Sequence, residues 1–319
     1  MREAIISFPG FGITVNPGYC FRIGNFCIYY YGVVIAVGFL LAILYASRVH
    51  KRFDLKMDDV YDYLIWGVIA GVICARLYYC ITFTDSAGVH TYLKDPASIL
   101  RIRDGGLAIY GGVIGAVIAL IIRSRMKKQS VFPILDIAGL GFLIGQLVGR
   151  WGNFFNREAY GYETDVFWRM GLTANGKTIY VHPTFLYESL WNLLGFLLLA
   201  NHSKYRRQYQ GQYFLLYLIW YGFGRAVIEG LRSDSLWLVP GVIRISQLLG
   251  LVSAVIALAF YIANAVRLKA GRPPVLGKLP PSEAETEDET EDETAVPAEE
   301  ASGSPAGRGD PGAPSDDDE

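Results

Sequence analysis

Long apolar runs recur along this chain, each close to the length that crosses a bilayer, with polar or glycine-rich breaks between them. A helix needs about 20 residues to traverse a hydrocarbon core of roughly 30 Å. In lipid a backbone satisfies its own N–H and C=O groups only as a helix or a closed barrel. Seven runs meet the length requirement, at about 27–47, 60–83, 106–123, 132–150, 183–200, 212–230 and 243–267. The expected fold is therefore an all-α integral membrane protein of about seven transmembrane helices. The third and fourth runs are rich in glycine, which lets helices approach closely in lipid. The first run has no basic segment directly before it and no A-x-A site after it, so it is expected to be an uncleaved span.

Charge is unevenly placed. Only 18% of residues are charged, against about 25% in soluble domains, and half of the acidic ones crowd into the end of the chain. From Ser282 onward there are fifteen acidic residues and one basic residue, Arg308, so a body of net +13 precedes a tail of net −14. A basic body suits anionic lipid headgroups. The sequence divides into a helical body, 1–272, and an acidic, disordered cytoplasmic tail, 273–319. Lys and Arg concentrate in alternate links: Arg48, Lys51, Arg52 and Lys56 after span one, Arg123, Arg125, Lys127 and Lys128 after span three, Lys204, Arg206 and Arg207 after span five. By the positive-inside rule the N-terminus faces out and the C-terminus faces the cytoplasm. The outer link at about 151–182 contains Asn175-Gly176 beside the alternating Thr178-Ile179-Tyr180-Val181, which predicts a small hairpin or cap on the outer face. The four cysteines, Cys20, Cys27, Cys74 and Cys80, form no CxxC pair and have no His at ligand spacing, so no metal site is expected; Cys74 and Cys80 read as small packing residues.

Ionisable groups inside spans are costly and are candidates for function. Given that orientation, Tyr31, Arg76, Tyr110, Arg150, Glu188, Arg225, Glu229, Arg244 and Gln247 all fall in the outer half of the membrane, while Asp59, Asp62 and Asp136 fall at inner ends within reach of water. A voltage sensor repeats arginines on one helix, and an ion pathway carries polar groups through both halves. One-sided depth instead favours a site that handles a lipid headgroup or a substrate presented from outside. Tyr221, Arg225 and Glu229, spaced four apart, share one helical stripe. Pro183 suits a first helical turn, leaving His182 just outside span five and Glu188 within it.

At the outer end of span four the chain reads Gly149-Arg150-Trp151-Gly152-Asn153-Phe154-Phe155-Asn156-Arg157-Glu158-Ala159-Tyr160-Gly161. The glycines allow close backbone approach, Arg150 offers a planar fork suited to phosphate, Asn153 and Asn156 add neutral donors and acceptors, and Glu158 adds a carboxylate. This stretch resembles, at every fixed position, the signature G-R-x-G-N-F-x-N-x-E-x-x-G of the prolipoprotein diacylglyceryl transferases. The likeness extends to Tyr31-Gly32, Ala75-Arg76-Leu77, Asp104 to Gly112, His182 to Glu188, Tyr221 to Glu229 and Ile245-Ser246-Gln247. It implies a multi-pass enzyme of the bacterial cytoplasmic membrane that moves the diacylglyceryl group of phosphatidylglycerol onto the lipobox cysteine of prolipoprotein signal peptides, with membrane lipid as its medium, no cofactor and no nucleic-acid partner. On that resemblance Arg150 and Arg225 would stabilise the departing phosphate. Asn153 and Tyr31 would position the headgroup, and Glu188, Glu229 and Glu158 would hold the arginines or relay a proton. Tyr221, Asn156, Gly161, Arg76 and Gln247 would complete the substrate site. Some relatives have histidine where this chain has Tyr110; a tyrosine with pKa about 10 is a poor base at neutral pH, so Tyr110 is expected to orient substrate unless its hydroxyl is strongly perturbed. The rival readings are a transporter and a CDP-alcohol transferase; the first lacks a repeat between halves and the second lacks its aspartate motif.

Overall fold

The computed structural model describes residues 4–24, 26–84, 92, 96–101 and 105–278. Seven long helices occupy the seven apolar runs: α1 (Tyr30–Val49), α2 (Met57–Thr82), α3 (Ile109–Met126), α4 (Phe132–Asn156), α5 (Thr184–Tyr205), α6 (Gln212–Ile228) and α7 (Ile245–Lys269). Six are long and apolar enough to cross a membrane; α5, which carries Glu188, Asn192, His202 and Lys204, falls short of that measure. The chain is thus a mostly helical, multi-pass integral membrane protein. Several ends shift by a few residues against the sequence expectation, and two of those shifts bear on the site. Span one starts at Tyr30 rather than 27, because the residues before it form a hairpin, and α4 runs six residues past 150, so that Asn153 and Asn156 are helical.

The packing follows from small residues and apolar stripes. α4 contacts α1, α5 and α6, and its inward face contributes Ile137, Leu140 and Leu143 to the main core. α2 lies on α3. There Gly111 and Gly115 face the Cys74 and Tyr78 turn of α2 so closely that no side chain fits, which is why Cys74 serves as packing at that contact. α5 is tied to α6 by Trp191 and Trp220, whose rings stack at 4.4 Å and whose indole N–H groups donate to each other's carbonyls at 3.1 and 3.0 Å. Gly195 and Gly224 make room for the two indoles.

At the end of the bundle where α4 finishes and α5 begins, short strands form a cap. β1 (Ile5–Phe8), β2 (Ile13–Val15), β5 (Met170–Ala174) and β6 (Lys177–Val181) form an antiparallel sheet in the order β2-β1-β5-β6. The β5–β6 turn is Asn175-Gly176, both at positive φ, the backbone a two-residue hairpin requires. Ile6, Met170, Leu172 and Val181 bury their side chains against Phe154 and Phe185. A second hairpin, β3 (Cys20–Ile23) with β4 (Phe26–Tyr29), is crosslinked by a Cys20–Cys27 disulfide and runs straight into α1. A third, β7 (Trp237–Val239) with β8 (Ile243–Arg244), leads into α7.

The opposite end is closed by polar contacts. Asp136, expected within reach of water, is fully buried: it accepts from the N–H groups of Gly211, Tyr213 and Phe214 at 2.8–3.0 Å. It thereby caps α6, whose first N–H groups have no partner within the helix and favour a negative charge. Asp59 pairs with Lys127, and Asp62 with Arg123 at 2.8 Å. Asn264 binds the backbone of Val275 and Leu276, and Lys278 accepts from the Gln210 N–H, so residues 273–278 fold back on α7 and the α5–α6 link. The remainder of the acidic tail, from 279, lies outside the described residues.

Candidate functional site

The up-and-down order of the helices brings the end of α4, the start of α5, the end of α6 and the start of α7 together beneath the cap. Four sequence-predicted residues meet there. Glu188, buried on the first turns of α5, lies between two guanidinium groups: Arg150 Nη2 is 2.5 Å from its Oε2, and Arg225 Nη1 donates to its Oε1 and Oε2 at 3.1 and 3.2 Å. Arg225 Nη2 lies 2.7 Å from Glu229 Oε2, one turn along α6. Isolated charges this deep would be prohibitively costly, and such a group persists because each charge has an opposite partner.

The loop after α4 continues the network. Arg150 Nη1 donates to Asn153 Oδ1 at 3.4 Å, and Asn153 and Asn156 both donate to Glu158 Oε1, at 3.0 and 3.2 Å. Arg157 turns the chain with φ 51° and binds the carbonyls of Ala4, Phe155 and Pro17, anchoring the cap to the end of α4. The ring of Tyr31 lies over Gly152, where an added Cβ would sit 2.5 Å from it. Gly161 is a junction: its N–H donates to the His182 carbonyl at 2.9 Å, and an added Cβ would sit 2.6 Å from His182 Cβ and 2.8 Å from Leu231 O. Gln247 donates to the Ala226 carbonyl at 2.7 Å, and Tyr221 stacks on Tyr217 one turn before Arg225.

Arg76 and Tyr110 stand apart from this group. The Arg76 guanidinium is taken up by the carbonyls of Ser98, Ile99, Arg101, Gly105 and Gly106, at 2.6–3.1 Å, and so holds the α2–α3 link together. Tyr110, in the first turn of α3, is partly exposed and makes no hydrogen bond to the charged cluster among the described residues.

The structure adds one arginine that sequence depth does not assign to the site, Arg232, and sets beside it Arg244, which depth had placed in the same layer. Arg232, just beyond the apolar run of α6, lies 3.9 Å from both Glu188 and Glu229 and is gripped bidentately by Asp234 at 3.0 and 3.1 Å. Burial works against its charge, and the carboxylates of Asp234, Glu229 and Glu188 outweigh that, holding its pKa above the ordinary arginine value. The spacing Glu229-x-x-Arg232 was its only sequence signal. Arg244, buried, donates to the Glu229 carbonyl and to Tyr162 Oη and lies over the Trp237 ring at 4.8 Å. Guanidinium groups from two helices and a connecting turn thus face two buried carboxylates, with Arg244 of β8 on the Glu229 backbone carbonyl. That arrangement can bind an oxyanion by exchanging carboxylate for phosphate hydrogen bonds. Among the described residues no three His, Cys, Asp or Glu side chains converge in a way that could hold a metal.

Comparison with known proteins finds one family. The family model for prolipoprotein diacylglyceryl transferase matches residues 18–263. The phosphatidylglycerol–prolipoprotein diacylglyceryl transferase of Limosilactobacillus reuteri (strain DSM 20016) is 44% identical over 266 residues, 79% of this chain and 92% of that protein. The Enterococcus faecalis (strain ATCC 700802 / V583) protein of the same name is 43% identical over 256 residues, 76% of this chain and 89% of its own length. That of Bacillus cereus (strain G9842) is 40% identical over 259 residues, with coverage of 79% and 92%.

Proposed function

Because the chain belongs to the prolipoprotein diacylglyceryl transferase family, we propose that it transfers the sn-1,2-diacylglyceryl group of phosphatidylglycerol to the lipobox cysteine of prolipoproteins, the first step of lipoprotein maturation. The observation that carries the reading is the meeting of Arg150 and Arg225 on Glu188 beneath the cap. The cysteine thiolate attacks glyceryl C3, the C3–O bond to phosphate breaks, a thioether forms and glycerol-1-phosphate leaves. Negative charge builds on the departing phosphate, where preorganised guanidinium donors lower the barrier. The same cationic surroundings favour the thiolate over the thiol. Phosphate takes the N–H groups that Glu188 holds at rest, and the released carboxylate is placed to accept the thiol proton. Asn153 and Tyr31 position the headgroup, with Glu158 and Asn156 holding Asn153; Glu229 holds Arg225. Tyr221, Gln247 and Gly161 shape the walls, Tyr110 orients substrate from the first turn of α3, and Arg76 serves the site only by holding the link before α3.

The site faces the outside of the bacterial cytoplasmic membrane, with α5 counted as a seventh span whose charges are enclosed by its neighbours. Two observations support that orientation. Lys and Arg concentrate in the links at the end away from the cap, and the Cys20–Cys27 disulfide at the cap end suits an oxidising compartment. All groups named lie within 1–272, and the acidic segment from 273 takes no part in the chemistry.

The test is transfer of radiolabelled diacylglyceryl from phosphatidylglycerol, as sole donor, to a lipobox peptide. Arg150→Ala and Arg225→Ala, inserted and folded as judged by thermal melting in detergent, are each expected to lose transfer by at least about 100-fold. Full activity in both variants refutes the phosphate clamp.

A further inference from the structure

Outside the charged cluster, a cavity of about 440 Å³ opens between the cap and the bundle, lined by Trp168, His182, Leu186, Tyr187, Leu190 and Leu231. Three of those six residues carry polar atoms, yet the wall is almost wholly carbon. The reason is local: Trp168 Nε1 donates to Tyr187 Oη at 2.7 Å and His182 Nδ1 lies 3.1 Å from the same oxygen, so the polar atoms satisfy one another and turn their apolar faces to the space. Burial also holds the His182 imidazole below its usual range, which keeps the wall uncharged at neutral pH. The volume lies within the roughly 300–1,000 Å³ of small-molecule sites.

Its surroundings identify the occupant. Leu190 is half exposed, and below it on α5 Leu194, Leu197 and Leu198 continue an outward, lipid-facing surface, so the cavity is open toward the hydrocarbon. Trp168 and Tyr187 are among its lining, residue types that settle at the membrane interface. The lining also includes Leu231, in the turn between Glu229 and Arg232 of the charged cluster. A ligand that fills the cavity from the bilayer therefore has its polar end beside guanidinium groups, which suits an anionic head on an apolar chain.

Resting on the transfer reading above, we propose that this cavity seats one acyl chain of the donor lipid, while the phosphate of the same molecule lies on the arginine cluster. The chain fixes how deeply the glyceryl carbon sits, so the cavity selects for donors long enough to reach it. Leu190 is a specificity residue in this scheme and touches none of the reacting atoms.

The experiment compares dioleoyl with dihexanoyl phosphatidylglycerol, in mixed micelles at fixed detergent, for the wild type, Leu190→Trp, which fills the cavity, and Leu190→Gln, which keeps its size but makes the wall polar. The expected result is a KM for the dioleoyl donor raised roughly tenfold in both variants, the loss expected when about two methylenes are shut out. The KM for the dihexanoyl donor, the KM for the lipobox peptide and kcat stay unchanged, and normal dihexanoyl turnover shows that each variant is folded. An unchanged dioleoyl KM, or a raised peptide KM in its place, overturns the acyl-chain assignment while leaving the transferase reading intact. Absence of transfer from either donor in the wild type overturns the transferase reading, and the cavity's role with it.

Discussion

Replacing Glu188 by glutamine tests the electrostatic core of the site. The wild-type carboxylate accepts from Arg225 at 3.1 and 3.2 Å and lies 2.5 Å from Arg150. Arg225 keeps Glu229 at 2.7 Å after the change, but Arg150, whose other partner is the neutral Asn153 Oδ1 at 3.4 Å, keeps at most a neutral amide oxygen in place of the carboxylate. One buried guanidinium thus loses its counter-charge. Breaking a buried pair in this way costs about 3–5 kcal/mol; because the Arg150 side chain retains 19% exposure, about 3 kcal/mol is the reasonable figure. At 2–4 °C for each kcal/mol in a chain of this size, Tm in detergent is expected to fall by roughly 6–12 °C.

The same substitution separates a phosphate clamp from a merely structural ion-pair knot. Without the Glu188 charge, the two arginines form a vacant oxyanion site. Glycerol-1-phosphate at about 100 times its Kd then restores about 2.7 kcal/mol, most of the loss, whereas the wild type gains less because its own carboxylate competes. The assay is thermal melting of both proteins across a glycerol-1-phosphate titration, with glycerol and sulfate as controls, alongside lipobox-peptide transfer, which the variant is expected to lose. A Glu188→Gln variant as stable as the wild type, or one with no greater gain from phosphate, refutes the reasoning.

Two further outcomes follow from the packing at the cap. Gly161→Ala drives a methyl group against His182 Cβ and the Leu231 carbonyl, and backbone at the latter cannot yield; stability is expected to fall by about 1–3 kcal/mol, read as a lower Tm, with transfer lost because the loop carrying Glu158 separates from α5. His182 has a folded pKa below 6.5, its burial opposing protonation, so the unfolded chain binds the proton more readily. Its contribution is intact above 6.5 and diminishes as pH falls through that value toward the folded pKa; His182→Gln is expected to flatten the fall in Tm between pH 7.5 and about 5.5, and an unchanged slope counts against a buried neutral imidazole.

The helices were legible because run length alone decides them, and the β5–β6 hairpin because Asn175-Gly176 names its turn. The other half of the cap was not. β1 and β2 are only four and three residues long, and β1 pairs with β5 from the far side of four long helices, so no local pattern announces it. The Cys20–Cys27 bridge likewise depends on the register of β3 with β4 rather than on spacing. At the site, depth in the membrane identified a layer but not a direction within it. Arg76 shares the depth of Arg150, yet its whole fork is taken up by loop carbonyls. Arg232 lies just past the apolar run, where nothing in a hydropathy pattern separates it from an ordinary link residue.

The helix least convincing as a span explains why the site can exist. Glu188, Ser189 and Asn192 lower the apolar character of α5, and each is buried. A carboxylate on a lipid-facing helix would be driven toward its neutral form or out to the interface. α5 avoids both because its polar face is enclosed. Ser189 accepts from Trp151 of α4 at 3.2 Å and donates to the Leu147 carbonyl at 2.9 Å, while the paired indoles of Trp191 and Trp220 lock the other flank to α6. These contacts fix α5 in rotation, so that Glu188 points at the arginines of both neighbours. Loosening that lock by Trp191→Leu, which removes one indole and its hydrogen bond to Trp220, is expected to lower kcat for lipobox-peptide transfer while leaving the dihexanoyl phosphatidylglycerol KM within about twofold, since the arginines themselves remain. A variant with wild-type kcat would show that Glu188 finds its place without the tryptophan pair.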